Sequence, residues 1–164
     1  MTAQAELNGS NLANKRRDLG KAVIPPFRSD GYLPEGVHVC AEAEAVFRFG
    51  GGSRRRRRLI TRLRRWLELA SRIGARRLLL DGSFVTAKKD PQDVDAVLLL
   101  PADFVRRLER GEEAALELED LFVTRQPEER FAAEDEGDWL GWVDFFSRTR
   151  ELDGRRKGLV EIQR

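Results

Sequence analysis

The stretch RLLLDGSFVTAKKDPQDVDAVLLL, residues 77–100, decides the fold. Leu78, Leu79 and Leu80 form one continuous apolar run and residues 94–100 a second, the pattern of strands buried on both faces. The first run breaks at Gly82 and Ser83, and a polar loop through Lys88, Lys89, Asp90 and Pro91 leads to the second. Two buried strands therefore flank one loop. Side chains alternate along a strand, so Asp93 and Asp95 project from one face with Cα atoms roughly 7 Å apart. Carboxylates so placed can share a divalent metal. Magnesium takes oxygen ligands, usually one or two carboxylates completed by phosphates and water, and a pair of such ions can clamp the attacking and leaving oxygens of a phosphoryl displacement. Gly82 lets the backbone approach a phosphate closely, and the amide and hydroxyl of Ser83 can donate to it. Lys88 and Lys89 lie in the same loop, where one can reach a triphosphate or both can remain solvated.

Upstream, Ser53 is a good N-cap, and Leu59, Ile60, Leu63, Trp66, Leu67, Ala70 and Ile73 recur at helical steps until Gly74. A short helix over residues 41–49 precedes it, ended by Gly50, Gly51 and Gly52. Residues 1–26 mix Asn, Gly, Ser, Lys and Arg without an apolar period and close on Pro25 and Pro26, which predicts a flexible arm before a domain over 27–164. Downstream, helical patterning follows through Phe104, Val105 and Leu108 and again over 114–118. Residues 121–124 read as a third strand and 159–162 as a last one. Trp139, Trp142, Val143, Phe145 and Phe146 make an aromatic helix face, read as core rather than as a platform for a base.

A chain of 164 residues with 41% apolar composition suits one domain with a single core. It holds no run of eighteen apolar residues and its N-terminus lacks the apolar stretch of a secretory signal, so a soluble, cytoplasmic protein with no membrane partner is expected. The lone Cys40 forms no internal disulfide, and with only His38 nearby there is no cluster at zinc-ligand spacing. Net charge is +2, but arginines crowd residues 54–77 while residues 109–138 are acidic. Arg54, Arg55, Arg56, Arg57 and Arg58 oppose the macrodipole at a helix N-terminus, by about 0.3–1 kcal/mol per charge. An anionic partner, protein or nucleic acid, accounts for the run better than a solvated helix start does.

The spacing of Gly82 and Ser83, then Asp93 and Asp95 after about ten residues, resembles the signature of the DNA polymerase beta nucleotidyltransferase superfamily. The resemblance implies an α/β (α+β) fold with a small mixed sheet and helices packed mainly on one side. It implies Mg²⁺ (or Mn²⁺) at Asp93 and Asp95, and nucleotide binding through Gly82, Ser83 and Lys88. The reaction it implies is transfer of a nucleotidyl group from a nucleoside triphosphate to a hydroxyl acceptor. It also implies a third carboxylate on a neighbouring strand, for which Asp120 fits best and Glu119 and Glu161 are rivals. The chain departs from the usual pattern at Thr86 and Ala87, where a second Gly is common, and at Gln92, where a Ser is common. More loosely, the stretch over residues 33–95 with Arg156, Lys157, Gly158, Leu159 and Val160 is similar to uncharacterised bacterial proteins with this core. Three readings stand: a metal-dependent nucleotidyltransferase; a non-catalytic, regulatory module of the same fold, antitoxin-like, binding through its arginine helix; and, more weakly, a nucleic-acid-binding adaptor.

Overall fold

The computed structural model describes residues 24–124 and 130–164. They form one mixed five-stranded sheet. In chain order the elements are β1 (Gly36–Cys40), α1 (Glu42–Phe49), α2 (Arg54–Arg72), β2 (Arg77–Asp81), β3 (Asp95–Leu99), α3 (Phe104–Glu109), α4 (Glu113–Thr124), β4 (Arg130–Ala133), α5 (Glu136–Ser147) and β5 (Gly158–Gln163). The strand order is β1-β5-β2-β3-β4. β2 runs antiparallel to both neighbours, while β1 is parallel to β5 and β4 to β3.

The leucine-rich runs follow from burial of both faces. Leu78, Leu80, Ala96, Leu98, Val160 and Ile162 enter a core shared with Leu59, Leu63, Trp66 and Leu67 of α2 and with Leu118 of α4. The alternate residues Leu79, Val97 and Leu159 enter a second, smaller core with Trp139 and Phe146 of α5. Helices therefore lie mainly on one side, as expected, and α5 alone packs on the other among the described residues.

Local signals set the boundaries. Ser53 caps α2, its side chain accepting from the Arg56 amide at 3.2 Å, and Gly74 beyond the helix adopts φ 77°. β5 starts at Gly158, where a Cβ would come within 2.1 Å of the Pro34 carbonyl oxygen, so only glycine fits against the chain before β1. Among the described residues Ile24, ahead of the boundary expected at residue 27, is already buried and donates its amide to Glu44 Oε1 at 3.1 Å. Most of the expected arm, residues 1–23, lies outside the described residues.

One expected strand is a helix. Residues 121–124 are the last turn of α4, because Leu118, Leu121 and Phe122 continue the helical spacing of Ala114 and Ala115 onto the first core. Phe122 meets Trp66 edge-on at 6.4 Å. β1 and β4 were not legible in the sequence. Both are short edge strands that acquire their conformation from β5 and β3 respectively.

Candidate functional site

The loop joining β2 to β3 is built from both sides. Gly82 takes φ 81° and ψ −177°, a backbone region that a side chain resists, and an added Cβ would stand 3.0 Å from the Asp95 amide nitrogen and 3.2 Å from Asp93 Oδ1. Ser83 to Val85 then form one 3-10 turn, which buries Phe84 against Phe49, ring centroids 5.7 Å apart. From below, Arg56 reaches the loop. Its buried guanidinium donates to the carbonyls of Phe49 at 3.0 Å, Phe84 at 2.9 Å and Thr86 at 2.8 Å, and also to that of Lys88. Arg55 donates to the carbonyls of Pro91 at 3.2 Å and Gln92 at 2.6 Å. Two of the five consecutive arginines thus have structural work to do, whereas Arg54, Arg57 and Arg58 are exposed. The cations near the helix N-terminus are tolerated in part because carbonyls surround them.

Ser83 and Asp93 are locked together. The Ser83 amide and hydroxyl both donate to Asp93 Oδ1, at 2.7 and 2.5 Å, and the hydroxyl accepts from the amides of Gln92 at 2.8 Å and Asp93 at 3.2 Å. The donors that the sequence assigns to a phosphate are directed at a carboxylate in this structure. Partial burial pushes the Asp93 carboxyl up, but the Ser83 hydroxyl and amide, with Lys88 nearby, outweigh it and hold the group below its ordinary 3.8. A carboxyl so depressed stabilises the fold above pH 3.8, and that stabilisation is lost as acid titrates the native group. Ser83→Ala should therefore lower stability at neutral pH by about 1.5–3 kcal/mol, the range for a hydrogen bond to a charged group. In an NMR titration the Asp93 carboxyl should move up. An unchanged Asp93 titration would show that the hydroxyl does not hold it.

Asp93 and Asp95 line one face of an open cleft of about 840 Å³ between β3, β4 and α5, within the range of roughly 300–1,000 Å³ usual for ligand sites. Its wall is aromatic. Trp142 lies 4.6 Å from Phe131 and stacks on Phe146 at 5.7 Å, tilted by 23°. The Trp142 indole is fixed by donation to the Ala132 carbonyl at 3.1 Å. Trp139 and Phe146 are buried, as the reading of this helix as core requires, but Phe145 is 59% exposed and Trp142 half-buried. Trp142 belongs to the cleft as well as to the second core, whereas Phe145, read from the sequence as core, joins neither core and lines the cleft, because it sits on the solvent side of the helix. Gly137 and Gly141, one turn apart on α5, leave its backbone bare toward the cleft, and Arg150 lines it too.

The expected third carboxylate is not at this site. Asp120 and Glu119 are exposed on α4, whose buried residues join the first core, on the sheet face opposite the cleft. Glu161 is buried beside Arg77, with Oε1 2.7 Å from Arg77 Nε. The acid that does stand beside Asp95 is Asp81, its cross-strand partner. Asp81 is 4% exposed, and the Lys157 ammonium lies 2.7 Å from both its oxygens. Burial pushes the Asp81 carboxyl up, Lys157 opposes this, and Asp93 adds a further upward push. An acid closing an apolar run, two residues from Leu79 on the same face, was the available signal for it.

The donor chemistry fits a hard cation. Ser83 is held at Asp93 Oδ1, and the Asp93 and Asp95 side chains line the same cleft. Among the described residues no three His, Cys, Asp or Glu side chains form a ligand group, so the protein's share would be two carboxylates, which is enough for magnesium when phosphates complete the shell. Elsewhere, the Cys40 thiol is buried and pushed up to about 11 by burial and by Glu44, so it stays protonated at neutral pH. His38 donates from Nε2 to the Pro34 carbonyl at 2.8 Å. No helix of the described residues is long and apolar enough to cross a membrane.

Fold and site together define an α+β protein with a mixed sheet, in which a glycine-serine loop and acidic strand ends face an aromatic helix. The chain belongs to a family of unknown function (DUF6932), whose model matches residues 25–163. No curated protein and no solved structure matches it.

Proposed function

We propose that this protein binds a nucleoside triphosphate with Mg²⁺ in the cleft and transfers its nucleotidyl group to a hydroxyl acceptor. The observation that carries the reading is the approach of the Gly82-Ser83 turn to Asp93, with Asp93 and Asp95 opening onto one cleft. In this reading Ser83 hands its two donors from Asp93 to a phosphate oxygen, which releases Asp93 Oδ1 toward the cation that Asp93 and Asp95 would hold. Lys88, close enough to Asp93 to stabilise its charge, adds a cation on the phosphate side, and the half-exposed rings of Trp142 and Phe145 offer a surface for the base. The bound cation would neutralise charge on the phosphates as the bond to the leaving pyrophosphate breaks.

Thermal melts test binding. A nucleotide and metal bound only by the native state at a hundredfold excess over Kd should stabilise it by about 2.7 kcal/mol. Label transfer from nucleoside triphosphates in lysate tests turnover, and Asp93→Asn with Asp95→Asn should abolish it in a protein that still melts cooperatively, the weakened Ser83 hydrogen bonds being offset in part by the loss of repulsion between two like charges. A cooperative melt unmoved by millimolar nucleotide and Mg²⁺ would sink the reading.

A regulatory, non-catalytic module of the same fold is the second reading, favoured by one observation: the Ser83 donors are already committed to Asp93. Binding would then fall to the exposed Arg54, Arg57 and Arg58 of α2. Changing these three to Gln should weaken binding of a labelled mixed-sequence RNA and flatten its salt dependence. RNA binding equal to that of the unmodified chain at every salt concentration would dismiss this surface.

A further inference from the structure

The cleft face of β2 and β5 carries two ion pairs of the same construction. Leu79 stands opposite Glu161 and Leu80 opposite Val160, so Arg77 meets Glu161 on the diagonal at one end and Asp81 meets Lys157 on the diagonal at the other. Their surroundings differ. Arg77 spreads its charge over Glu161, Glu136 and the ring of Trp139, a closed structural cluster. Asp81 faces Asp95 across the β2–β3 ladder and feels the charge of Asp93, so Lys157 is delivered to the edge of an acidic group. Three carboxylates brought together on one sheet face repel unless cations stand among them.

We infer that Lys157 is the resident cation of this site: its ammonium supplies the positive charge that a second divalent ion would bring, so the cleft takes one divalent ion, at Asp93 and Asp95. The inference rests on the metal-binding reading proposed above. Asp81 is the hidden member of the group, with a side chain 5% exposed and both oxygens held by the ammonium. The Lys157 backbone is itself fixed by donation of its amide to the Ser147 carbonyl at 2.9 Å, at the end of the helix that walls the cleft. The ammonium therefore reaches Asp81 from an anchored position, as a positioning charge rather than a mobile side chain.

Titration of the intact protein with Mn²⁺ alone, followed by the electron spin resonance of free ion, should give one bound ion. Lys157→Ala removes the ammonium and leaves room beside Asp81. This variant should gain a second ion or bind the first more tightly on the order of tenfold, the scale set by removing one charge a few ångströms from a dication in a watery cleft. Asp81→Asn combined with Lys157→Ala should return to one ion of the original affinity, and Arg77→Met, which breaks the sister pair, should leave Mn²⁺ binding unmoved. Two ions in the unmodified chain would overturn the inference whether or not the variants fold. One ion with equal affinity in the unmodified chain and in folded Lys157→Ala would overturn it while leaving the metal-binding reading intact. No ion in either would overturn both.

Discussion

Arg56→Met is expected to lower stability by about 3–5 kcal/mol, because it withdraws a charged donor group from four carbonyls at once, three in the β2–β3 loop and that of Phe49 at the end of α1. Each charge-assisted hydrogen bond contributes about 1.5–3 kcal/mol, and a buried carbonyl left unpaired costs about 1–3 kcal/mol. The full sum is not reached, since the exposed chain at Lys88 admits water to its carbonyl. For a chain of this size the loss corresponds to a fall in Tm of roughly 10 °C. Arg57→Met, on the exposed side of the same helix, should stay within about 0.5 kcal/mol. Arg56→Lys should recover only part of the loss, because an ammonium cannot match the planar fork that spans Phe49, Phe84 and Thr86. Calorimetric melts of the three variants check this. If Arg56→Met melts within a degree or two of the unmodified protein, the carbonyl cage does not hold the loop.

Lys157→Met should cost about 3–5 kcal/mol at neutral pH, the usual consequence of leaving one member of a buried pair alone. The penalty has a pH sign. Burial already raises the Asp81 carboxyl above 3.8, with Lys157 opposing it, and without the ammonium the group should rise further. A carboxyl whose native pKa exceeds its unfolded value destabilises the fold progressively as pH rises through and above 3.8. Lys157→Met should therefore lose least toward pH 3.8 and progressively more as pH rises above it. Asp81→Asn combined with Lys157→Met should restore most of the stability, with a coupling of about 2–3 kcal/mol in the double-mutant cycle. Urea melts at pH 5 and pH 8 decide it. A penalty independent of pH would mean that the cost lies in lost packing of the lysine stem.

The two predictions concern residues that the sequence displayed in different lights. Arg56 stood in a run of five arginines that looked like one anionic-partner surface. Helical geometry turns Arg56 inward, and whether it finds carbonyls there depends on a loop some thirty residues away. Asp81 follows the first leucine run directly in the sequence, yet its importance follows from the register of β2 against β3, which no local pattern specifies. Lys157 is more distant still and meets Asp81 only because β5 inserts between β1 and β2.

The sequence by itself determined the elements with strong local causes. The leucine runs of β2 and β3 require burial on two faces, the apolar period of α2 with Ser53 and Gly74 marks that helix at both ends, and Gly82 with Ser83 marks a turn between strands. Alternation over two residues does not by itself account for the shared cleft of Asp93 and Asp95, because β3 begins only at Asp95 and Asp93 is held in the preceding loop by Ser83. Tertiary structure alone decided what lies opposite those elements. It made residues 121–124 helical by packing Phe122 on Trp66, it sent Asp120 to the far face of the sheet, and it committed the Ser83 donors to Asp93. It also brought Phe131, Phe145 and Arg150 to the carboxylates. The physical reason is range: propensity, capping and alternation act within a few residues, whereas strand order, the choice of sheet face and the partner of a buried charge are fixed only when segments far apart in the chain bury a common surface.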